Sequence, residues 1–252
     1  MGDSGQRDDR LSVQRQIDQD NSWYVASQVQ WAEQPGIRTL FEKRFRYFTS
    51  CIERARTRLG TGLRLLDAGC GDGYWIKRLR GLSGLEVFGV DYNPLRIERA
   101  RQVAPPESVW CGSVFEFKAA EPFDVVLLNQ VIEHVEGDEA LLKRIRSLLR
   151  PGGVLILGTP NEGSWLQQWS LRRRGTSFVT DHVHFYMESE IRGKIVDAGF
   201  SIDGMMREVF YPGNDRIYYG LMRRGWGFRL LELLTVLFPS QCSDYYFECR
   251  AV

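Results

Sequence analysis

Asp67, Gly69, Gly71 and Gly73 stand together in "LDAGCGDG" (66–73), directly after a hydrophobic run. Glycine loses more backbone freedom on folding than any other residue, so such a cluster implies that something approaches that backbone closely. Asp91 follows 18 residues after Gly73, in "VFGVDYN". A carboxylate at the tip of the strand after a glycine loop is placed to accept hydrogen bonds from a ribose diol. A dinucleotide site reads G-x-G-x-x-G, whereas here the third glycine comes one residue early and the acid Asp67 precedes the loop. A carboxylate there repels a pyrophosphate and suits a ligand that carries an ammonium group. The second constellation is made of imidazoles. The chain has 3 histidines: His134 in "NQVIEHV", and His182 and His184 in "TDHVHFY". Each is a side chain that can take a proton from an acceptor hydroxyl. His182 and His184, two residues apart, point the same way if their segment is extended; one is expected to be functional and the other structural. Glu133 lies beside His134.

Alternating strands and helices must position these groups. "LRLLDA" (63–68) reads as a buried strand, "YWIKRLR" opens a helix, "LEVFGV" (85–90) is the next strand, and Pro94 starts a second helix. "SVWCG" (108–112) is a short strand and "FDVVLLN" (123–129) a continuous apolar one, as for a strand covered on both faces. Leu141, Leu142, Ile145, Leu148 and Leu149 share a face, which predicts a helix from 138 that stops at Pro151-Gly152. "GVLILGT" (153–159) is a strand, 187–198 a helix ending at Gly199, and "FSIDGMMREVF" and "DYYFECRAV" two last strands. Ahead of them, Leu40, Phe41, Phe45, Phe48 and Ile52 predict a helix over 37–58. Such alternation makes an open, mostly parallel α/β sheet, with the glycine loop at its carboxyl edge.

The balance of charge, +1 over 252 residues, argues against nucleic acid as the main partner. Five scattered cysteines without a C-x-x-C pair read as reduced thiols, not a disulfide framework or zinc site. The polar start lacks the apolar stretch of a signal peptide, and residues 1–21 read as a flexible tail. No run reaches the ~20 apolar residues of a membrane span. A cytoplasmic location is expected, with contact at a membrane surface through residues 220–239 as an alternative. Within that segment, Leu230 to Phe238 is expected to be buried as a lid or dimer helix rather than to lie on lipid. The connection 160–182 is long enough to be a lid. In it Trp165, Trp169 and Phe178 can wall a pocket, and Arg172, Arg173 and Arg174 can meet an anionic acceptor or cap a solvated helix end.

At "LDAGCGDG", with Asp91 and the later "FDVVLLNQVIEHV" and "LRPGGVLILGTPN", the chain resembles the class I S-adenosylmethionine-dependent methyltransferases over roughly residues 40–210. The resemblance implies a seven-stranded Rossmann-like methyltransferase fold: a mostly parallel sheet with helices on both faces. N-terminal helices (22–60) would cap a cofactor-binding domain (61–252), with acceptor-side insertions at about 160–182 and at 211–242, before the last strand. It implies S-adenosyl-L-methionine as cofactor, held by Asp67, Gly69, Cys70, Gly71, Gly73, Asp91, Tyr92, Ser113, Val114, Asn129 and Gln130. Ser113 stands where the family often has the acid that binds the adenine amine. "Gln130-x-x-Glu133-His134" is similar to the metal-binding E-x-x-E-H of ubiquinone-pathway O-methyltransferases, with Gln130 replacing the first acid. A Mg²⁺-type site from Glu133, His134 and His182 or His184 is the lesser alternative to a metal-free histidine base. The leading expectation is O-methylation of a small-molecule, sugar- or lipid-linked acceptor, with His134, His182, His184 and Glu133 as the catalytic candidates. RNA 2′-O-methylation, N- or carboxyl-methylation, and a cofactor-binding partner subunit without turnover stay open, as does the oligomeric state.

Overall fold

The computed structural model describes residues 27–174 and 182–252. The expected tail at 1–21 and the ring of Phe178 lie outside the described residues. Two helices come first, α1 (Gln28–Ala32) and α2 (Ile37–Leu59). Then follow β1 (Leu63–Ala68), α3 (Tyr74–Leu79), β2 (Leu85–Asp91), α4 (Pro94–Ala100), β3 (Val109–Cys111) and β4 (Phe123–Asn129). The chain continues through α5 (Asp138–Leu148), β5 (Leu149–Pro160), α6 (Trp165–Arg174), α7 (Glu188–Asp197) and β6 (Phe200–Arg207). It ends with α8 (Asp215–Met222), α9 (Gly225–Leu237) and β7 (Asp244–Ala251).

The strands form one sheet in the order β3-β2-β1-β4-β5-β7-β6. All neighbours are parallel except β7, which runs antiparallel to β5 and β6. This is the class I methyltransferase arrangement. The chain leaves β1 in one direction toward β2 and β3, then returns to lay β4 on its other side. The gap between the ends of β1 and β4 is therefore the topological switch point, where sheets of this kind open a crevice.

Period-two alternation sends successive side chains to opposite faces and builds two cores. Leu65, Val125, Leu127, Val154 and Ile156 join Phe41, Phe48, Trp75 and Ile97 from α2, α3 and α4 on one face. Leu66, Val126, Leu128, Leu155 and Leu157 meet Leu141, Ile145, Ile191 and Ile195 from α5 and α7 on the other. On the same alternation Asp67 and Asn129 fall on the first face, beneath the N-terminal helices. Arg44 of α2 ties that face to the chain after β6: its Nε and Nη2 donate to Glu208 Oε1 and Oε2 at 2.6 and 2.8 Å. Glu208 is fully buried. Burial works to raise its carboxyl, but Arg44 outweighs this and holds it below the usual range.

One boundary differs from the sequence reading. The helix expected to run on to Pro151 ends at Leu148, because Leu149 already pairs with Phe123 as the first residue of β5. The apolar periodicity of α5 passes into the strand unbroken, so amphipathicity alone does not mark the switch.

The hairpin α8–α9 packs against α2. Val209, Tyr211, Tyr218, Met222, Phe228 and Leu231 close over Leu40. The burial expected for Leu230 to Phe238 holds for one face only. Leu231 and Thr235 are buried, while Leu230, Leu233, Val236, Leu237 and Phe238 are exposed. Among the described residues no helix is long and apolar enough to cross a membrane.

Candidate functional site at the carboxyl edge of the sheet

The glycine loop leaves β1 with φ of +85° at Gly69, +52° at Gly71 and +78° at Gly73. At Gly69 space decides as well: a Cβ there would lie 2.3 Å from Val131 Cγ2. The loop amides are turned inward. Gly69 and Cys70 donate to the Val90 carbonyl at 2.8 and 3.1 Å. The Gly71 amide donates to Asp91 Oδ2 at 2.9 Å. The loop is thus stitched to the end of β2, and its glycines serve close approach rather than anion binding. Cys70 contributes main chain only. Its thiol is buried and would lie 2.8 Å from a Cβ on Gly89, and burial pushes its pKa well up.

Asp91 also accepts from the Asn93 amide at 2.9 Å. Two backbone bonds fix the orientation of the carboxylate at the end of β2. Tyr92 beside it is half-buried. Ser113 Oγ accepts from the Phe115 amide at 3.3 Å, and the Val114 carbonyl accepts from Arg144 Nε at 3.1 Å, so both shape the turn after β3.

Asp67 is 1% exposed and its Oδ2 has no hydrogen-bond partner. Burial, with the Asp91 charge added, pushes its pKa up to about 8. Asn129 Oδ1, at the end of β4, is likewise buried without a partner. A buried acceptor left unpaired costs about 1–3 kcal/mol. An α-ammonium seated at Asp67 relieves that cost and stabilises the carboxylate. Two acids and an amide fit an amino-acid nucleoside; the cations beside the loop are Arg96, which a Cβ on Gly71 would meet at 3.1 Å, and Arg99, whose Nη1 lies 3.5 Å from Asp72 Oδ2.

α1 lies over this loop. Its first amide, Gln28 N, donates to Asp72 Oδ2 at 2.8 Å, and Gln28 Oε1 would meet a Cβ on Gly71 at 2.7 Å. Asp72 is buried and holds the latch. Sequence reasoning passed over it, although it lies inside the glycine motif.

The histidines separate. Glu133, His134 and His182 bring one ligand-capable atom each to within 4.8 Å of one another. The two imidazoles meet edge to face at 4.6 Å between ring centres. His182 Nδ1 lies 2.5 Å from Glu162 Oε2. Glu133 is 1% exposed: Oε2 accepts from Thr159 Oγ1 at 3.2 Å and Oε1 has no hydrogen-bond partner. Burial raises its pKa, while His134 and His182 pull against that. His184 is not part of the group. Its Nε2 lies 3.0 Å from the Val135 carbonyl oxygen, and the ring stacks on Tyr186. Of the two metal sets read from the sequence, the fold brings together Glu133, His134 and His182 and leaves His184 outside. The segment 182–187 is irregular, so spacing by two does not align its side chains.

Gln130 points away from this group as well. Its φ is +56°, its amide donates to the Gly158 carbonyl at 2.8 Å, and its Nε2 donates to Asp244 Oδ1 at 3.1 Å. The residue that would replace the family's first acid therefore anchors the loop to β7. Glu162, Thr159 and Asp244 were missed in the sequence. "PNEG" after a strand was the one signal for Glu162, an acid at the carboxyl edge. Trp165 and Trp169 are 64% and 41% exposed, and Arg173 lies over the Trp169 ring at 4.2 Å.

A family model for a methyltransferase domain matches residues 40–203. The ubiquinone biosynthesis O-methyltransferase of Rhodopseudomonas palustris is 35% identical over 168 residues, 62% of this chain and 65% of that protein. The protein of the same name from Cereibacter sphaeroides is 37% identical over 167 residues, 60% and 65% of the two chains. The matches thus span just under two thirds of these relatives' own length. The N-methyltransferase NodS from Bradyrhizobium japonicum, in complex with S-adenosyl-L-homocysteine, superposes with a TM-score of 0.59 at 14% identity, covering 96% of this chain and 98% of that one. The [4+2]-cyclase SpnF superposes at 0.55 with 17% identity, covering 79% of each. At such identities the likeness is one of fold, and a cyclase among the neighbours shows that the fold does not name the reaction. With the family model spanning most of the chain and the nucleoside cleft built as described, the chain belongs to the methyltransferase-domain family, as a class I S-adenosylmethionine-dependent methyltransferase.

Proposed function

We propose that the protein methylates a hydroxyl oxygen on a small-molecule, sugar- or lipid-linked acceptor, with His134 as general base. The observation that carries this reading is the Glu133–His134–His182 group just beyond the end of β4, beside the cleft marked by Asp67 and Asn129. When bound, S-adenosylmethionine supplies a methyl group activated on a sulfonium. Asp67 holds its ammonium and Asp91 its sugar, which sets the line along which an acceptor oxygen must approach. Alignment of this kind supplies much of the rate of a direct displacement. His134, the more exposed of the two paired imidazoles (22% against 6% of the side chain), takes the hydroxyl proton as the oxygen–methyl bond forms. Glu133 favours the protonated imidazole that results, and Glu162 fixes the His182 ring against it. The O-methyltransferase names of the curated relatives support an oxygen acceptor.

The test is His134→Ala. Turnover is expected to fall ~10²–10⁴-fold, with S-adenosyl-L-homocysteine affinity within about twofold of wild type, because the ring lies outside the cofactor cleft. Unchanged turnover in a folded variant removes His134 from the mechanism. Transfer of radiolabelled methyl to pooled metabolites, lipids and RNA identifies the acceptor class.

One observation favours a second reading. Glu133 Oε1 is buried without a partner and faces two imidazoles, so the three residues fit a divalent cation. Such a cation, when bound, acidifies an acceptor hydroxyl as a Lewis acid. One carboxylate and two imidazoles suit a borderline metal such as Zn²⁺ or Fe²⁺ better than Mg²⁺, which favours oxygen ligands. Activity that survives EDTA refutes this reading, and EDTA-sensitive activity restored by one metal supports it.

A further inference from the structure

α9 is apolar on both of its faces, and only one of them is covered. Phe228, Leu231 and Thr235 face inward against Leu40 and Tyr218. On the opposite side Trp226, Leu230, Leu233 and Leu237 recur at helical spacing as an open stripe, 64%, 38%, 57% and 60% exposed. Val236 and Phe238 widen it, at 78% and 53% exposure. Large contiguous apolar patches are rare on free protein surfaces and mark interaction sites.

Charge decides what covers this one. Arg223, Arg224 and Arg229 flank the start of the stripe, all exposed. The single acid in 220–239 is Glu232, and it is taken by Lys43 of α2 at 3.0 Å. A second copy packed on the same stripe would bring these cations to a face with no free acid to meet them. An anionic lipid surface supplies both missing partners, hydrocarbon for the stripe and phosphate for the guanidinium groups. The helix has 13 residues, about 20 Å at 1.5 Å per residue, too short to span a bilayer and well suited to lie in its plane. α6 adjoins its end, with the Leu166 amide donating to Gln241 Oε1 at 3.1 Å, and offers the exposed Trp165 and Arg172 nearby.

We infer that the α9 stripe docks the enzyme, in the plane of the interface, on a bilayer rich in anionic phospholipid. The inference is independent of the acceptor: a membrane-docked enzyme can serve a lipid-borne or a soluble substrate.

The test is co-sedimentation of the full chain with vesicles of phosphatidylcholine alone and of phosphatidylcholine mixed with phosphatidylglycerol, at low and at high salt. Binding is expected to the mixed vesicles and to weaken with salt. The Arg223→Gln/Arg224→Gln pair is expected to lower partitioning about 30-fold, near 5-fold per cation. Leu233→Asp and, as a second exposed site, Val236→Asp are expected to abolish it. Unaltered S-adenosyl-L-homocysteine binding by each variant establishes that the fold and cofactor cleft are intact, so failure of docking is distinguishable from failure of the methyltransferase site. No uptake by either vesicle, or uptake that both aspartate variants leave unchanged, overturns the inference. A stable dimer that Leu233→Asp converts to monomer, without vesicle binding, also overturns it and assigns the stripe to a second copy.

Discussion

The proposed seat of the ligand's ammonium at Asp67 makes cofactor binding depend on pH in a calculable way. Its pKa stands at about 8 in the ligand-free protein, set first by burial and then by the Asp91 charge. Below that pH the carboxyl is protonated, and an ammonium ligand must displace the proton before it can pair. The ionised fraction is about 0.01 at pH 6, about 0.1 at pH 7 and about 0.5 at pH 8, so the carboxylate alone raises affinity about tenfold from pH 6 to 7 and about fivefold from 7 to 8. The ligand's own α-ammonium belongs to a free amino acid, whose carboxylate holds it above the chain-terminus value of about 7.7–8.0, so it stays charged over this range and leaves the gain in place. Calorimetry with S-adenosyl-L-homocysteine in buffers of different ionisation enthalpy reads both quantities. At pH 7 about 0.9 of a proton is expected to be released per ligand bound. Asp67→Asn removes the charge and the competing proton together. Its affinity is expected to lie about 10- to 100-fold below wild type at pH 8, the worth of a charge-assisted bond, and to converge on wild type at pH 6. The sign for stability is opposite. A carboxyl whose pKa is raised on folding contributes full stability below about pH 4 and loses it as pH rises through about 8, at a cost on the order of 4 kcal/mol by pH 7. The ligand-free Asn variant is therefore expected to melt higher than wild type at neutral pH. Affinity flat from pH 6 to 8, with no proton released, would refute the reasoning.

Two substitutions probe the frame around that cleft. Gly69→Ala forces a side chain onto Val131 at a φ of +85°; it is expected to cost about 1–3 kcal/mol and to weaken S-adenosyl-L-homocysteine binding tenfold or more, and unchanged affinity by calorimetry contradicts the packing described. Arg44→Met leaves the fully buried Glu208 without its bidentate partner. Urea unfolding is expected to show a loss of about 3–5 kcal/mol, recovered in large part by Glu208→Leu in the same chain.

How much of this could be read from the chain follows from the range of the interactions involved. β1 and β4 have the bounds expected of them, because a continuous apolar run flanked by turn residues is a local signal and both faces of each strand are covered. The glycine loop, Asp67 and Asp91 were legible for the same reason: their spacing along the chain is their spacing in the cleft. The inward turn of the loop amides was not, since it depends on where the Val90 carbonyl and the Asp91 carboxylate arrive from β2. Thr159 and Glu162 reach Glu133 and His182 across 26 and 20 residues. Gln130 reaches Asp244 across 114. No spacing rule encodes such pairs. For α9 the sequence shows a helix apolar all round; which half is covered is decided by Leu40 on α2, nearly two hundred residues away.

Asp67 and Glu208 share a degree of burial and differ in everything that follows from it. Both are carboxylates with almost no contact with water, at 1% and 0% exposure. Glu208 meets Arg44 inside the fold, so its pKa falls and the pair holds α2 on the sheet. At Asp67 burial, with the charge of Asp91 added, raises the pKa, and an oxygen stays unpaired. The first is a finished contact that the protein uses to keep its shape. The second is a deficit that folding leaves in place, next to a second unpaired acceptor on Asn129 and at the point where the sheet opens. Such a deficit lowers the stability of the empty protein, and a ligand that brings a cation to that position removes it. On the proposed binding role the carboxylate is pre-positioned at the cost of stability, and the free energy recovered on binding is the reason the same acid is expected to govern affinity, proton release and melting temperature together.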